Sequence, residues 1–126
     1  MFEVRVEAEF AAAHFLKDYH GKCENLHGHN YAVFAHARGN SLDEGGMLLD
    51  FSQLKKALRG VCAELDHTNL NDTPEFSQNP SAERIAVYIF NRLYSELEKI
   101  NSMSAGLLYA VDVFETPTSR ARYCKD

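Results

Sequence analysis

No run in this sequence comes near the ~20 consecutive apolar residues that a membrane-spanning helix needs. The first residues, Met1-Phe-Glu-Val-Arg-Val-Glu7, have neither the basic start nor the apolar core of a signal peptide. Neither a membrane span nor an export signal is read, and a cytoplasmic location is the expectation. Positive charge is also scarce: 13 Lys and Arg stand against 18 Asp and Glu, a formal net charge of −5. That balance argues against a general binder of nucleic acid or of a membrane surface, since each calls for a basic footprint. A small anion held in a local basic pocket stays open. Cysteine is sparse too, and Cys23, Cys62 and Cys124 are odd in number and match no disulfide framework, so they read as reduced thiols. Repeats, low-complexity tracts and linkers are missing. A chain of 126 residues with 45% hydrophobic composition therefore reads as a single globular domain over 1–126, small enough that association would help bury its surface.

Periodicity supplies the elements. Phe2, Val4, Val6, Ala8 and Phe10 alternate with Glu3, Arg5, Glu7 and Glu9, the pattern of a half-buried antiparallel strand. A polar loop over 17–26 then delivers Cys23, and His27 to Arg38 form a second strand, closed by a turn at Gly39-Asn40. Leu54, Leu58, Val61 and Leu65 recur at helical spacing behind a cap at Asp50 or Ser52. Residues 68–78 read as loop. Asn79-Pro80-Ser81 is a helix start, and Ile85, Ile89, Leu93 and Leu97 form the stripe of a second helix. A break over 101–106 precedes a last long strand, Leu107 to Thr116, in which Glu115 stands in line with Leu107, Tyr109, Val111 and Val113; the tail adds a short edge piece. The expected fold is α+β, an antiparallel four-stranded sheet with two helices on one face. Two helices leave the other face and the sheet edges bare, and closing several subunits into a barrel would remove both problems, so a homo-oligomer is expected.

The chemistry concentrates in Cys23-Glu-Asn-Leu-His27-Gly-His29. In an extended backbone, His27 and His29 project from one face, and His14 lies in a neighbouring segment. Isolated, such histidines read equally well as strand residues with satisfied hydrogen bonds. Three together, with no obvious fourth ligand, have the composition of a catalytic zinc site that keeps one position open, although imidazoles also accept iron, cobalt or nickel. Cys23 reads as a fourth ligand that closes the site, as a thiolate base or nucleophile beside an open one, or as an inert loop residue. Cys62, beside the first helical stripe, reads as a small buried hydrophobe. Asp66-His67 reads as a helix-end cap or as a proton donor tuned by its carboxylate. Glu115 reads as a solvent-turned strand end or as a carboxylate accepting two parallel N–H bonds from an amino-substituted heterocycle.

Taken together, Phe10-Ala-Ala-Ala-His14, Cys23-Glu-Asn-Leu-His27-Gly-His29-Asn-Tyr31, Gly46-Met-Leu-Leu-Asp50-Phe51, Leu65-Asp-His67-Thr-Asn-Leu-Asn-Asp72, Asn79-Pro-Ser-Ala-Glu83 and Phe114-Glu-Thr-Pro-Thr-Ser119 resemble, in order, the signatures of the 6-pyruvoyltetrahydropterin synthase superfamily. The resemblance spans nearly the whole chain and is nearest the bacterial carboxytetrahydropterin branch, because only three residues separate Cys23 from His27. It implies zinc on His14, His27 and His29, Cys23 as the proton-abstracting thiolate, Asp66 and His67 as a proton relay, and Glu115 as the pterin anchor. It further implies a tunnelling fold, a homohexamer built as a dimer of trimers with sites between subunits, and 7,8-dihydroneopterin triphosphate as substrate on the route to queuosine. Phe15 departs from the pattern, where a basic residue often follows the first ligand. Lys17, Lys22, Arg120 and Arg122 are the remaining candidates for the triphosphate.

Overall fold

The strand that begins at Phe2 runs on to His14, giving a thirteen-residue β1 (Phe2–His14) that pairs antiparallel with an equally long β2 (His27–Gly39). The register is unbroken from Phe2 opposite Gly39 to His14 opposite His27. The structure is a computed structural model describing residues 1–17, 25–76 and 79–126; Cys23 and Lys22 lie outside the described residues. After β2 come α1 (Phe51–Leu65), a two-residue β3 (Thr68–Asn69), α2 (Ala82–Ile100), α3 (Ser102–Leu107), β4 (Leu108–Thr116) and β5 (Ser119–Cys124). The strands form one sheet in the order β3-β1-β2-β4-β5.

The α+β class and the two long helices agree with the sequence pattern. Asp50 caps α1 by accepting from the Ser52 amide, and Ser81 caps α2 by accepting from the Arg84 amide. The apolar stripes of both helices are buried, α1 over β1 and α2 over β4. Together with Val6, Ala8, Phe10, Tyr31, Val33, Ala35, Val111 and Val113 they make the core. Cys62 belongs to that core at 1% exposure, and burial pushes its thiol up to about 12, so it is chemically quiet.

Three details depart from the sequence reading. The sheet has five strands, because Thr68-Asn69, read as loop, pairs parallel with Ala12-Ala13. The break at 101–106 holds a short helix, capped by Asn101 accepting from the Met103 amide. In β4, a register shift opposite His36/Ala37 moves Leu108 into the core, while Tyr109 lies under the Arg38 guanidinium at 3.6 Å. Within β4, Val111, Val113 and Glu115 share the inward face as expected, while Leu107 packs against the core from the end of α3.

The face away from the helices is more charged than the sequence reading had it. Phe34 and Phe114 meet edge to face there, but around them run Glu3, Arg38, His36, Asp112 and Arg122. Asp112, 3% exposed, accepts from Arg122 Nε at 2.7 Å and Nη2 at 3.0 Å and pairs with His36 Nε2 at 2.7 Å. Burial opposes its ionisation, but the Arg122 and His36 hydrogen bonds outweigh that cost and hold its carboxyl below the usual range. Arg122, a triphosphate candidate by sequence, is committed to this network.

Candidate metal centre

His14 ends β1 and His27 begins β2 directly opposite it, while His29, two residues on, opposes Ala12. Side chains alternate along a strand, so His27, His29 and Tyr31 project from one face beside His14. Glu115 arrives on that face from β4, in step with Val113, which opposes Val33. The ligand atoms of His14, His27, His29 and Glu115 all lie within 4.8 Å of one another. His14 is fully buried, and the other three members are half-buried. Phe10 and Tyr31, stacked at 4.7 Å, form an apolar floor beneath the cluster.

The histidine tautomers can be read from their partners. His14 Nδ1 lies 2.9 Å from the Pro80 carbonyl, and His27 Nδ1 lies 2.7 Å from the Asn25 carbonyl. A carbonyl only accepts, so both Nδ1 atoms carry the proton and both Nε2 atoms present lone pairs. Those two Nε2 atoms face each other at 3.1 Å, an arrangement that repels unless a cation lies between them. His29 Nε2 is buried without a hydrogen bond of proper geometry, though Glu115 Oε1 is 2.8 Å away. Burial, against the opposing pull of Glu115, keeps the His29 imidazole below its ordinary value and so in the neutral, ligating form. Tetrahedral bonds of about 2.0–2.1 Å place neighbouring donors roughly 3.3–3.4 Å apart. The observed 3.1 Å, and the 3.3 Å between His14 Nε2 and Glu115 Oε1, sit close to that edge. The donor set fits a metal ion.

Tyr31 and the Pro80 carbonyl were not singled out from sequence. The period-two rule could have found Tyr31, two residues beyond His29; nothing local marks a carbonyl that approaches from the start of α2. Two asparagines were also missed. Asn71 brackets the Phe15 backbone with bonds of 2.8 and 3.1 Å, and Asn79 brackets Lys17 with bonds of 2.8 and 3.0 Å. They act as substitute strand neighbours and hold the chain extended beyond His14.

Asp66 and His67 meet each other but stand outside the cluster. His67 Nδ1 is 2.9 Å from Asp66 Oδ2, and its side chain is 83% exposed. Asp66 accepts from the Ala11 amide at 2.8 Å, and the His67 amide donates to the Ala11 carbonyl at 2.6 Å. The Ala11 N–H bond, with help from His67, holds the Asp66 carboxyl below its usual range. His67 carries a φ of 58°, a left-handed conformation that costs a non-glycine residue about 1–2 kcal/mol. His67 and His29 line the same open cleft of about 520 Å³, together with Gly28, Asn30, Thr68 and Asn69.

An α+β chain whose mixed sheet gathers three histidines and a carboxylate at one end of its strands has a donor set that could hold a metal ion, and comparison with known proteins narrows its class. Residues 3–126 match the family model described as 6-pyruvoyl tetrahydropterin synthase. The chain is 37% identical to the 6-carboxy-5,6,7,8-tetrahydropterin synthase of Bacillus subtilis, over 98% of this chain and 83% of that one. It is 40% identical to the 6-pyruvoyl tetrahydrobiopterin synthase of Drosophila melanogaster, over 82% of this chain and 61% of that one. Its fold superposes on the Caenorhabditis elegans 6-pyruvoyl tetrahydropterin synthase structure with a TM-score of 0.85 at 31% identity, covering 99% of this chain and 96% of that one. The chain belongs to the 6-pyruvoyl tetrahydropterin synthase family. It is an enzyme of that family, and no helix among its described residues is long and apolar enough to cross a membrane.

Proposed function

We propose that the protein is a zinc-dependent lyase that converts 7,8-dihydroneopterin triphosphate to 6-carboxy-5,6,7,8-tetrahydropterin, releasing acetaldehyde and triphosphate, in the cytoplasmic route to queuosine. The observation that carries this reading is the facing pair of Nε2 lone pairs on His14 and His27, with His29 and Glu115 beside them. The name of the Bacillus subtilis relative supports the carboxy reaction, as does the three-residue spacer between Cys23 and His27.

His14, His27 and His29 would hold the zinc, which when bound would supply Lewis acidity toward the hydroxyls of the substrate side chain and so acidify the neighbouring C–H bonds. The protein's own groups then do the following. Glu115 accepts the N–H donors of the pterin ring and sets its orientation. Cys23, as a thiolate, removes a proton from carbon, and triphosphate departs by elimination without a redox step. Asp66 holds His67 by Nδ1, leaving Nε2 to return a proton. The wide exposure of His67 agrees with a role at a site completed by a neighbouring copy, in a hexamer of two stacked trimers. Support for association comes from the sheet edges and from the Phe34–Phe114 pair on the face the helices leave uncovered.

The test is to incubate the zinc-loaded protein with dihydroneopterin triphosphate and read acetaldehyde and pterin products together. Acetaldehyde with the 6-carboxy product is expected. A pyruvoyl product without acetaldehyde would move the protein to the reaction named for the Drosophila relative. Cys23→Ala should stay folded and zinc-loaded while turnover falls roughly 10²–10⁴-fold, the usual contribution of a positioned base; loss of zinc with loss of fold would instead make the thiol a structural ligand.

His67→Gly should separate stability from activity. Relief of the left-handed backbone, less the entropy of an added glycine, is expected to raise stability by about 0.5–1 kcal/mol. Turnover should drop roughly 10²–10⁴-fold. Urea unfolding beside steady-state kinetics would show whether the two move in opposite directions.

A further inference from the structure

We infer that Lys17 binds the triphosphate of the substrate proposed above, and that Asn79 positions it for that contact. The inference rests on that substrate and supplies the cation for its anionic end. A triphosphate ester is polyanionic while bound and departs as a polyanion, so one placed cation serves binding and departure alike.

Several described cations are engaged elsewhere. Arg122 is committed to Asp112, and Arg120, 3.9 Å from Asp112, stands with it on the face away from the helices. The metal centre lies on the other face, in step with Val33 and Val113. Lys55 and Arg59 share a cleft with the carboxylates of Glu7, Glu9 and Asp66. Arg84 lines a third region, with Glu75, Phe76 and Tyr88.

Lys17 is tied to the metal centre itself. It follows His14 by three residues, so at most ~11 Å of chain separates them. One dipeptide, Asn79-Pro80, then holds both. The Pro80 carbonyl accepts from His14 Nδ1 at 2.9 Å, while the Asn79 side chain accepts from the Lys17 amide at 2.8 Å and donates to its carbonyl at 3.0 Å. Asn71 brackets Phe15 in the same way. Four side-chain bonds therefore fix a short stretch beyond the sheet. They act on its backbone, and the Lys17 side chain is left exposed.

The substrate's own connectivity suits this placement. Its triphosphate is esterified to the carbon beside a hydroxyl-bearing one, so an ion that takes the hydroxyls brings the phosphates close to the exit of β1. An ammonium on a flexible stem, with three donors and no fixed plane, can follow the leaving group as its C–O bond breaks. Asn79 touches Lys17 and not the substrate, so it is a positioning residue.

The experiment compares dihydroneopterin with its triphosphate, both titrated calorimetrically into zinc-loaded Cys23→Ala protein, where turnover does not interfere. The readout is the ratio of the two dissociation constants, because a change in fold or zinc loading would move both ligands together. The expected result is a preference for the triphosphate of at least ~tenfold. Adding Lys17→Met should remove most of it while dihydroneopterin binds as before, Lys17→Arg should restore it, and Asn79→Ala should diminish it. With Cys23 in place, Lys17→Met should lower kcat/KM roughly 10–100-fold. A preference that survives Lys17→Met would overturn the proposal, as would an equal loss for both ligands. Failure of the zinc-loaded parent to bind either pterin would instead remove the proposed substrate, and Lys17's role with it.

Discussion

His14→Ala is expected to lose zinc and, with it, turnover down to the level of metal-free protein. Among the cluster residues this one is fully buried, and its ring is fixed from both sides. Nδ1 is anchored on the Pro80 carbonyl at 2.9 Å, with the Tyr31 hydroxyl 3.4 Å away, so Nε2 points at His27 and Glu115. Removing a group that merely orients a metal ligand weakens binding about 10–100-fold, so removing the ligand itself should exceed that. Chelator competition and metal analysis after dialysis measure the loss. Circular dichroism guards against the simpler explanation, since the cavity left beside Tyr31 and Pro80 also costs stability. Retention of stoichiometric zinc by a folded His14→Ala protein would remove His14 from the ligand set.

The second large effect lies on the opposite face. Asp112→Ala should lower folding stability by about 3–5 kcal/mol, the range for breaking a buried, hydrogen-bonded charge pair. The loss is large because two partners are abandoned at once. Arg122 gives up both of its bonds to Asp112, and His36, 5% exposed, keeps only the longer contacts to Glu3 at 3.6 Å and to Arg122 Nη2 at 3.4 Å. The same pair gives an acid limb to stability. The carboxyl of Asp112 sits below its unfolded value of about 3.9, so its contribution is full above that pH and is lost as pH falls through the lower, folded value. Urea titrations at neutral pH and below pH 4 should show wild type converging toward Asp112→Ala in acid. An unchanged gap between the two would assign the stability to something other than the charge.

The face carrying this network was among the features the sequence hid. Its members are spread over β1, β2, β4 and β5, and no spacing rule connects Glu3 with Asp112. Other misses have equally local causes. Ala11-Ala12-Ala13 offers no contrast of polarity, so the alternation that revealed β1 could not show that the strand continues to His14. β3 is two residues long and exists because Ala12 and Ala13 offer it a partner, and α3 is too short to display a stripe. The shift opposite His36/Ala37 is invisible to a strict period of two, which is why Tyr109 was placed with the core. Much of the metal centre was readable, because a His-x-His pair in an extended backbone must share a face. Period two also put Glu115 on that face. It could not give the distance, and so kept the carboxylate apart from the imidazoles it touches. The Asp66–His67 pairing was legible as adjacency, while the exposure of His67 and its left-handed backbone belong to the chain's return to Ala11.

The unbroken pairing of β1 with β2 has a consequence for how the chain finds its fold. The three imidazoles converge only when His14 faces His27 and Ala12 faces His29. A slip of one residue would send one strand's histidines to the other side of the hairpin, and a slip of two would part His14 from His27 by a full pleat. All three histidines lie within the first two strands, whereas Glu115 waits on β4. An ion captured by these three imidazoles would therefore select the correct alignment of β1 against β2, and would proofread the strand pairing on which the finished sheet is built.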